Sequence, residues 1–246
     1  RFPTVLGLVL LIAGVVGGIV LVGQGTGGFL PRASAEYTPQ QVRITNVTEN
    51  GFTVSFSTPQ ASLGLVEYGT SARDLSEEAR DDRDQLSGET GSYTTHHITV
   101  QGLQAQTEYS FRILTQNRQV YDNSGEPFTV RTARVAQLPA ARSAYGEVNN
   151  QAGNSATGAL VYLTTSGASP LSSYVKADGS WSIPLGQLRT QDLSAVFPTT
   201  DATEFRIQVI GQNARDTVEL SAMTSQLAPL ETLQFGAAVP DLTAQA

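Results

Sequence analysis

The chain has 246 residues and a formal net charge of −7, with 22 acidic side chains against 14 arginines and one lysine, Lys176. Only 15% of residues are charged, where ~25% is usual, and glycine reaches 23. This lean, turn-rich composition excludes a coiled coil, a collagen and a wholly disordered chain, and it shows no basic stripe for neutralising phosphates, so nucleic acid is not an expected partner.

Residues 5–22 (VLGLVLLIAGVVGGIVLV) form an uncharged run of 18 residues behind Arg1. As a helix rising about 1.5 Å per residue it would span ~27 Å, close to the hydrocarbon core of a bilayer. The pattern predicts a hydrophobic α-helix over 1–24 and a flexible linker over 25–36. Three arrangements compete. A cleaved signal peptide has Ala33-Ser34-Ala35 as its small-x-small site, but that site lies thirteen residues beyond Val22. A single-pass anchor would leave the remainder outside the membrane. A filament-core helix would pack against copies of itself. Gly7, Gly14 and Gly18 line one side, and Gly14 with Gly18 makes the small-x-x-x-small pair that lets helices approach closely.

Period-two alternation follows. Runs at 41–47, 52–57, 63–68, 92–100, 108–116 and 128–132 read as about six short strands separated by turns, the pattern of a β-sandwich over 37–133. Between the third and fourth runs lies DLSEEARDDRD, with Asp74, Glu77, Glu78, Asp81, Asp82 and Asp84. Such carboxylate density is a weak Ca²⁺ candidate. The spacing is not that of an EF-hand, Arg80 and Arg83 interleave, and the alternative is a solvated acidic loop or short helix. Histidine occurs only as His96 and His97. Adjacent strand residues point to opposite faces, which predicts one packed inward and one in solvent, both structural. Asn46-Val47-Thr48 is a glycosylation sequon.

The run Gly102-Leu103 to Thr107-Glu108-Tyr109-Ser110-Phe111-Arg112-Ile113 resembles the fibronectin type III signature. That resemblance places Tyr109 at the tyrosine corner and Phe56 at the core position where the family often carries Trp. Pro39-Gln40-Gln41-Val42, Ser57-Thr58-Pro59, Val66-Glu67-Tyr68-Gly69-Thr70-Ser71 and His96-His97 look like the N-terminal fibronectin-like domain of purple acid phosphatases. In those enzymes the metals sit in a separate downstream domain on several His, Asp and Asn ligands, a set this chain does not carry, so the resemblance does not bring the activity.

Residues 134–144 read as a Pro-containing linker, and a second β pattern occupies 145–236, ahead of a tail over 237–246. Strands are expected at 145–148, 160–164, 172–176, 181–183, 205–210, 216–222 and 231–235, with Asp178-Gly179 as a hairpin turn. Gly146-Glu147-Val148, Gly158-Ala159-Leu160-Val161-Tyr162-Leu163 and Ala177-Asp178-Gly179-Ser180-Trp181-Ser182-Ile183 resemble the carboxypeptidase-regulatory-like or transthyretin-like family of non-catalytic surface sandwiches. Trp181, the only tryptophan, is the expected central core aromatic. Related collagen-adhesin domains form Lys–Asn crosslinks, but the lone Lys176 has no evident partner.

The expectation is therefore a mainly β chain: an N-terminal hydrophobic α-helix and two tandem Ig-like or fibronectin-like β-sandwiches. Cysteine is absent, which removes disulfides and thiol chemistry. With no nucleophile elbow, phosphate loop or convergent histidines, no catalytic residue, metal or cofactor is expected. The sequence reads as an exported cell-surface subunit of a pilus-like filament, self-associating through the helix into a homopolymer, with the membrane as partner before or instead of assembly. Pilins share the plan, although their acidic residue near the helix start is absent, Val5 standing at position 5. The competing reading is a membrane-anchored adhesion protein with a surface glycan or protein ligand.

Overall fold

The structure is a computed structural model that describes residues 34–239 apart from 214, together with 242. The expected helix with Gly7, Gly14 and Gly18 lies outside the described residues. Among the described residues no helix is long and apolar enough to cross a membrane.

Strands β1 (Gln40–Thr45), β2 (Gly51–Ser62), β3 (Leu65–Gly69), β4 (Glu77–Arg80), β5 (Tyr93–Gln101), β6 (Glu108–Thr115), β7 (Gln119–Tyr121) and β8 (Phe128–Arg131) build the first sandwich, with one short helix, α1 (Asp82–Ser87). One sheet runs β1-β2-β5. The other runs β4-β3-β6-β7, with β8 also on β6. Alternation puts Phe52, Val54 and Phe56 of β2 and Ile98 and Val100 of β5 on the inner face, where they meet Phe111 and Ile113 of β6. Phe52 and Phe111 pack with ring centroids 5.5 Å apart. The Tyr109 hydroxyl accepts the backbone N–H of Gln104 at 3.0 Å, pinning the turn before β6 to its own strand.

Eight strands stand where about six runs were read. The additional ones are β4, with the sequence EEAR, and β7, QVY. Neither carries enough alternating apolar residues to announce itself, and β4 exists because β3 offers it an edge.

Strands β9 (Ser143–Asn149), β10 (Leu160–Thr164), β11 (Leu171–Tyr174), β12 (Ser180–Pro184), β13 (Glu204–Ile210), β14 (Thr217–Met223) and β15 (Leu233–Gln234) build the second sandwich. Its sheets are β11-β10-β13-β14 and β12-β9-β15. The connection into β12 is a tight turn: Gly179 sits at φ 89 and the Asp178 carboxylate accepts the Ser180 N–H at 3.0 Å. Trp181, Phe205, Ile207 and Val209 fill the core with Val161 and Leu163 of β10.

The two sandwiches lie against one another, the outer face of β1-β2-β5 on the outer face of β10-β11-β13. Thr53 and Ser55 of β2 and Thr95 of β5 alternate with the core residues and so point away from the first core, yet all three are fully buried. The second sandwich supplies Leu160, Tyr162 and Ile210 as a small apolar cluster on its own outer face, with Tyr174 beside it.

Candidate functional site

The densest chemistry of the described residues is in the seam between the sandwiches. Asn46 leaves β1 in the left-handed region, φ 52, a conformation its short amide tolerates. Its side chain then pairs with Ser172 of β11 as a strand would: Nδ2 donates to the Ser172 carbonyl at 3.0 Å and Oδ1 accepts the Ser172 N–H at 2.9 Å. The Asn46 N–H donates to the Pro170 carbonyl. Farther along, the Ser55 and Tyr162 hydroxyls meet at 3.0 Å and Thr95 donates to the Gly158 carbonyl at 2.6 Å. Arg43 lies over the Tyr162 ring at 4.1 Å and donates to Gln208 at 2.5 Å. At the opposite end the fully buried Arg189 donates to Glu49 at 2.6 Å.

His97 stands at the centre. Its Nδ1 is 2.7 Å from Asp82 Oδ2 and its Nε2 is 3.0 Å from Ser172 Oγ. The Asp82 carboxylate also accepts from the backbone N–H and the hydroxyl of Thr99, both at 2.8 Å. With the Asp82 carboxylate as acceptor, His97 donates from Nδ1, which leaves Nε2 facing the Ser172 hydroxyl. Carboxylate, imidazole and hydroxyl in this order have the layout of an acyl-transfer triad. The surroundings turn it to another use. Ser172 and His97 are buried, and the Ser172 Oγ already meets Thr45 Oγ1 at 2.5 Å and Asn46 Nδ2 at 3.3 Å. The Ser172 N–H, the donor nearest its own hydroxyl, is taken by Asn46. A nucleophile needs an open approach and donors for the developing oxyanion, whereas these groups bond to each other across two domains.

His96, one residue earlier, points into the first core and stacks on Phe56 at 4.5 Å. Gly64 permits this, because a Cβ there would stand 2.3 Å from the His96 Nδ1. Burial pushes the His96 pKa down, only partly opposed by Asp81, whose Oδ2 lies 3.5 Å from Nδ1. Asp81 is itself fully buried at the N-cap of α1. Burial alone would raise its pKa, but the hydrogen bonds from Arg83, with the His96 imidazole close by, hold it well below the usual carboxylate range. Arg83 reaches Asp81 at 2.7 Å, donates to the Thr95 carbonyl and lies over the Tyr93 ring at 3.6 Å. Burial and the hydrogen bond to Asp84 push the Tyr93 phenol up to about 12.

Two expectations are corrected. The outward histidine is not in solvent: His97 is on the opposite face from His96, but the second sandwich covers that face. The acidic run is not one loop that could gather round Ca²⁺. It forms β4 and α1, and its acids disperse: Glu78 pairs with Arg118, Asp81 with Arg83, Asp82 with His97, and Asp84 with the Tyr93 hydroxyl. Asp74 and Glu77 stay exposed. No group of three or more His, Asp or Glu converges on a metal position among the described residues. Phe56, Tyr109 and Trp181 all lie in the cores. Asn46 belongs to the seam, so a glycan on its Nδ2 would part the two sandwiches. Sequence reasoning missed Asn46, Ser172 and Asp82 as one cluster; the alternating polar residues of β2 and β5 were the only signal.

A family described as the N-terminal domain of purple acid phosphatase matches residues 39–132, the first sandwich. No curated protein matches the chain. Among solved structures, PhoD is 10% identical with a TM-score of 0.31, over 51% of this chain and 24% of that one. The FN1–FN3 domains of chicken CNTN1 are 14% identical with a TM-score of 0.28, over 82% of this chain and 69% of that one. The third fibronectin III domain of human KIAA0343 is 14% identical with a TM-score of 0.27, over 50% of this chain and 99% of that one. The chain thus spans about a quarter of the length of PhoD. The first sandwich is a fibronectin-III-like β-sandwich, on its strand order and the family match.

Proposed function

We propose that the chain is a non-enzymatic structural subunit of the cell surface, in which the two sandwiches act as one stiff body. The observation that carries this reading is the polar seam. Asn46, Ser55, Thr95, His97 and Arg189 each bond across the boundary between the sandwiches. Bonds spread over the whole contact fix the angle between domains, where a flexible linker alone would leave them free to rotate. A subunit of a filament needs such fixity, because a small hinge error repeated at every subunit destroys the helical lattice. The 5–22 run supplies the self-associating element in this reading, through Gly7, Gly14 and Gly18. An anchored adhesion protein is the competing use of the same stiff head.

The test is electron microscopy of the full chain from its native membrane. Regular polymers are expected, and the double substitution Gly14→Leu with Gly18→Leu should abolish them while leaving membrane association. Polymers that survive the double substitution, or none from the unaltered chain, overturn the filament reading. Labelling of Ser172 by a fluorophosphonate probe would overturn the non-enzymatic one.

A further inference from the structure

One hairpin of the second sandwich reaches into both cores. Residues 189–196 run out and back between Leu188 and Phe197. The Phe197 N–H donates to the Leu188 carbonyl at 2.8 Å, and both side chains pack in the second core. At the tip, Gln191, Asp192, Ser194 and Ala195 are exposed and only Leu193 is not. The Leu193 side chain packs against the first core, across the boundary between the sandwiches. Its backbone sits in the left-handed region, φ 61, which glycine adopts freely and leucine at a cost. The turn is tied locally: the Leu193 N–H donates to the Thr190 carbonyl at 2.8 Å. The Asp192 carboxylate accepts the Thr190 hydroxyl at 2.6 Å, the Ser194 N–H at 3.1 Å and the Ser194 hydroxyl at 2.8 Å. Glycine would make this turn more easily. What leucine adds is a side chain, and that side chain lies in the core of the other domain.

The hairpin grips the first sandwich at two further points. Arg189, at its base, donates to Glu49 in the connection between β1 and β2. The N–H of Arg134, just past β8, donates to the Leu193 carbonyl at 3.2 Å. Between these points the Ala133 N–H donates to the Thr48 carbonyl at 2.8 Å, so they are neighbours at one end of the sandwich. They belong to different sheets, Glu49 to β1-β2-β5 and Arg134 to the sheet that carries β8. The two sheets of a sandwich are joined by interdigitated side chains, so an uncovered end is where they can splay. We propose that the 189–196 hairpin is a strap that closes this end of the first core, and that the first sandwich keeps its native packing only while the second is docked on it. A residue held in a costly backbone conformation persists where its surroundings over-determine it, and such residues mark clamps and switches. Lifting the strap relaxes Leu193 and uncovers the apolar side chains beneath it, so the first core responds to any event that parts the sandwiches. The proposal rests on the two sandwiches forming one stiff body and is independent of the filament reading.

Hydrogen exchange of the full chain, read by mass spectrometry, tests the strap. The parent should exchange slowly across 189–196 and 128–134, as a docked body requires. Leu193→Ala should speed exchange at least about tenfold in 47–54 and 128–134 of the first sandwich, while 181–183 and 205–210 of the second stay as in the parent. Leu193→Gly eases the turn but removes the side chain, and it should loosen the same two segments. Leu193→Met keeps an apolar side chain of similar volume and should leave them protected. Three results overturn the strap alone: faster exchange confined to 189–196, loosening of the second sandwich instead of the first, or a Leu193→Gly variant protected as well as the parent. Fast exchange across both segments in the parent would overturn the strap and the stiff body together.

Discussion

The two faces of strands β2 and β5 are buried to the same degree by opposite means. On the inner face, Phe52, Val54, Phe56, Ile98 and Val100 exclude water by apolar contact. On the outer face, Thr53, Ser55, Thr95 and His97 are equally hidden, and polar partners take the place of water: Asn46, Tyr162, Gly158 and Ser172. The inner face gains free energy from area and tolerates imprecise geometry. The outer face gains little net energy per bond, yet leaving one group unpaired is costly. It therefore contributes a defined angle between the domains more than it contributes stability.

That contrast can be broken from either side. The largest effect is expected on the inner face. Phe56→Ala should destabilise the chain by about 3–5 kcal/mol in chemical denaturation, because it empties a closed core and removes the surface on which His96 stacks. Since the sandwiches are bonded together, near-UV signals from both should be lost in one transition.

Asn46→Ala should cost about 2–4 kcal/mol, leaving the Ser172 N–H and carbonyl buried without their partner. The diagnostic result is the shape of the curve. Scanning calorimetry should resolve two transitions where the parent shows one, because the cores are intact and only their coupling is lost. A single transition shifted downward would mean that the seam is not what couples the domains.

Acidification should attack the boundary between the two faces. The His96 pKa is lowered from its ordinary 6.5, so the unfolded chain takes up a proton that the folded chain refuses. The His96 contribution is complete above pH 6.5 and is lost as pH falls below it. Asp81 is lowered from 3.8, so its contribution is complete above that value and is lost as pH falls further. Melting temperature should therefore decline in two phases, each group contributing a slope of at most about 1.4 kcal/mol per pH unit. His96→Gln should flatten the upper phase alone. A profile level from pH 7 to pH 4 would contradict this account.

The smallest effect separates a fastener from a nucleophile. Ser172→Ala removes one hydroxyl from the His97 and Thr45 cluster and should cost about 1 kcal/mol. A loss of more than about 3 kcal/mol would show that the cluster acts as a unit worth more than its pairs.

Much of the fold was legible along the chain. Alternation at 52–57 and 205–210 fixed which side chains enter each core, and Asp178-Gly179 marked its turn. The edge strands β4 and β7 were not legible, since EEAR and QVY carry no alternation of their own and pair only because β3 and β6 present an open edge. The candidate site was less legible still. Asp82 looked like one member of an acidic run, and only the fold of α1 aims it at His97 while Asp81 turns to Arg83. Gly64 carried no sign that an imidazole lies against it.

The sequence by itself determined the class of the molecule: charge, absence of cysteine, and two β segments whose local period of two sets which residues share a face. That information is local, since alternation follows from the geometry of one strand. Whether a polar face meets water or another protein surface is not local. Thr53, Ser55 and His97 carry hydroxyls and an imidazole, which water and buried partners satisfy alike. The tertiary structure decided between the two by bringing Ser172, Tyr162 and Gly158 from 63 to 107 residues away in the chain to within hydrogen-bonding distance.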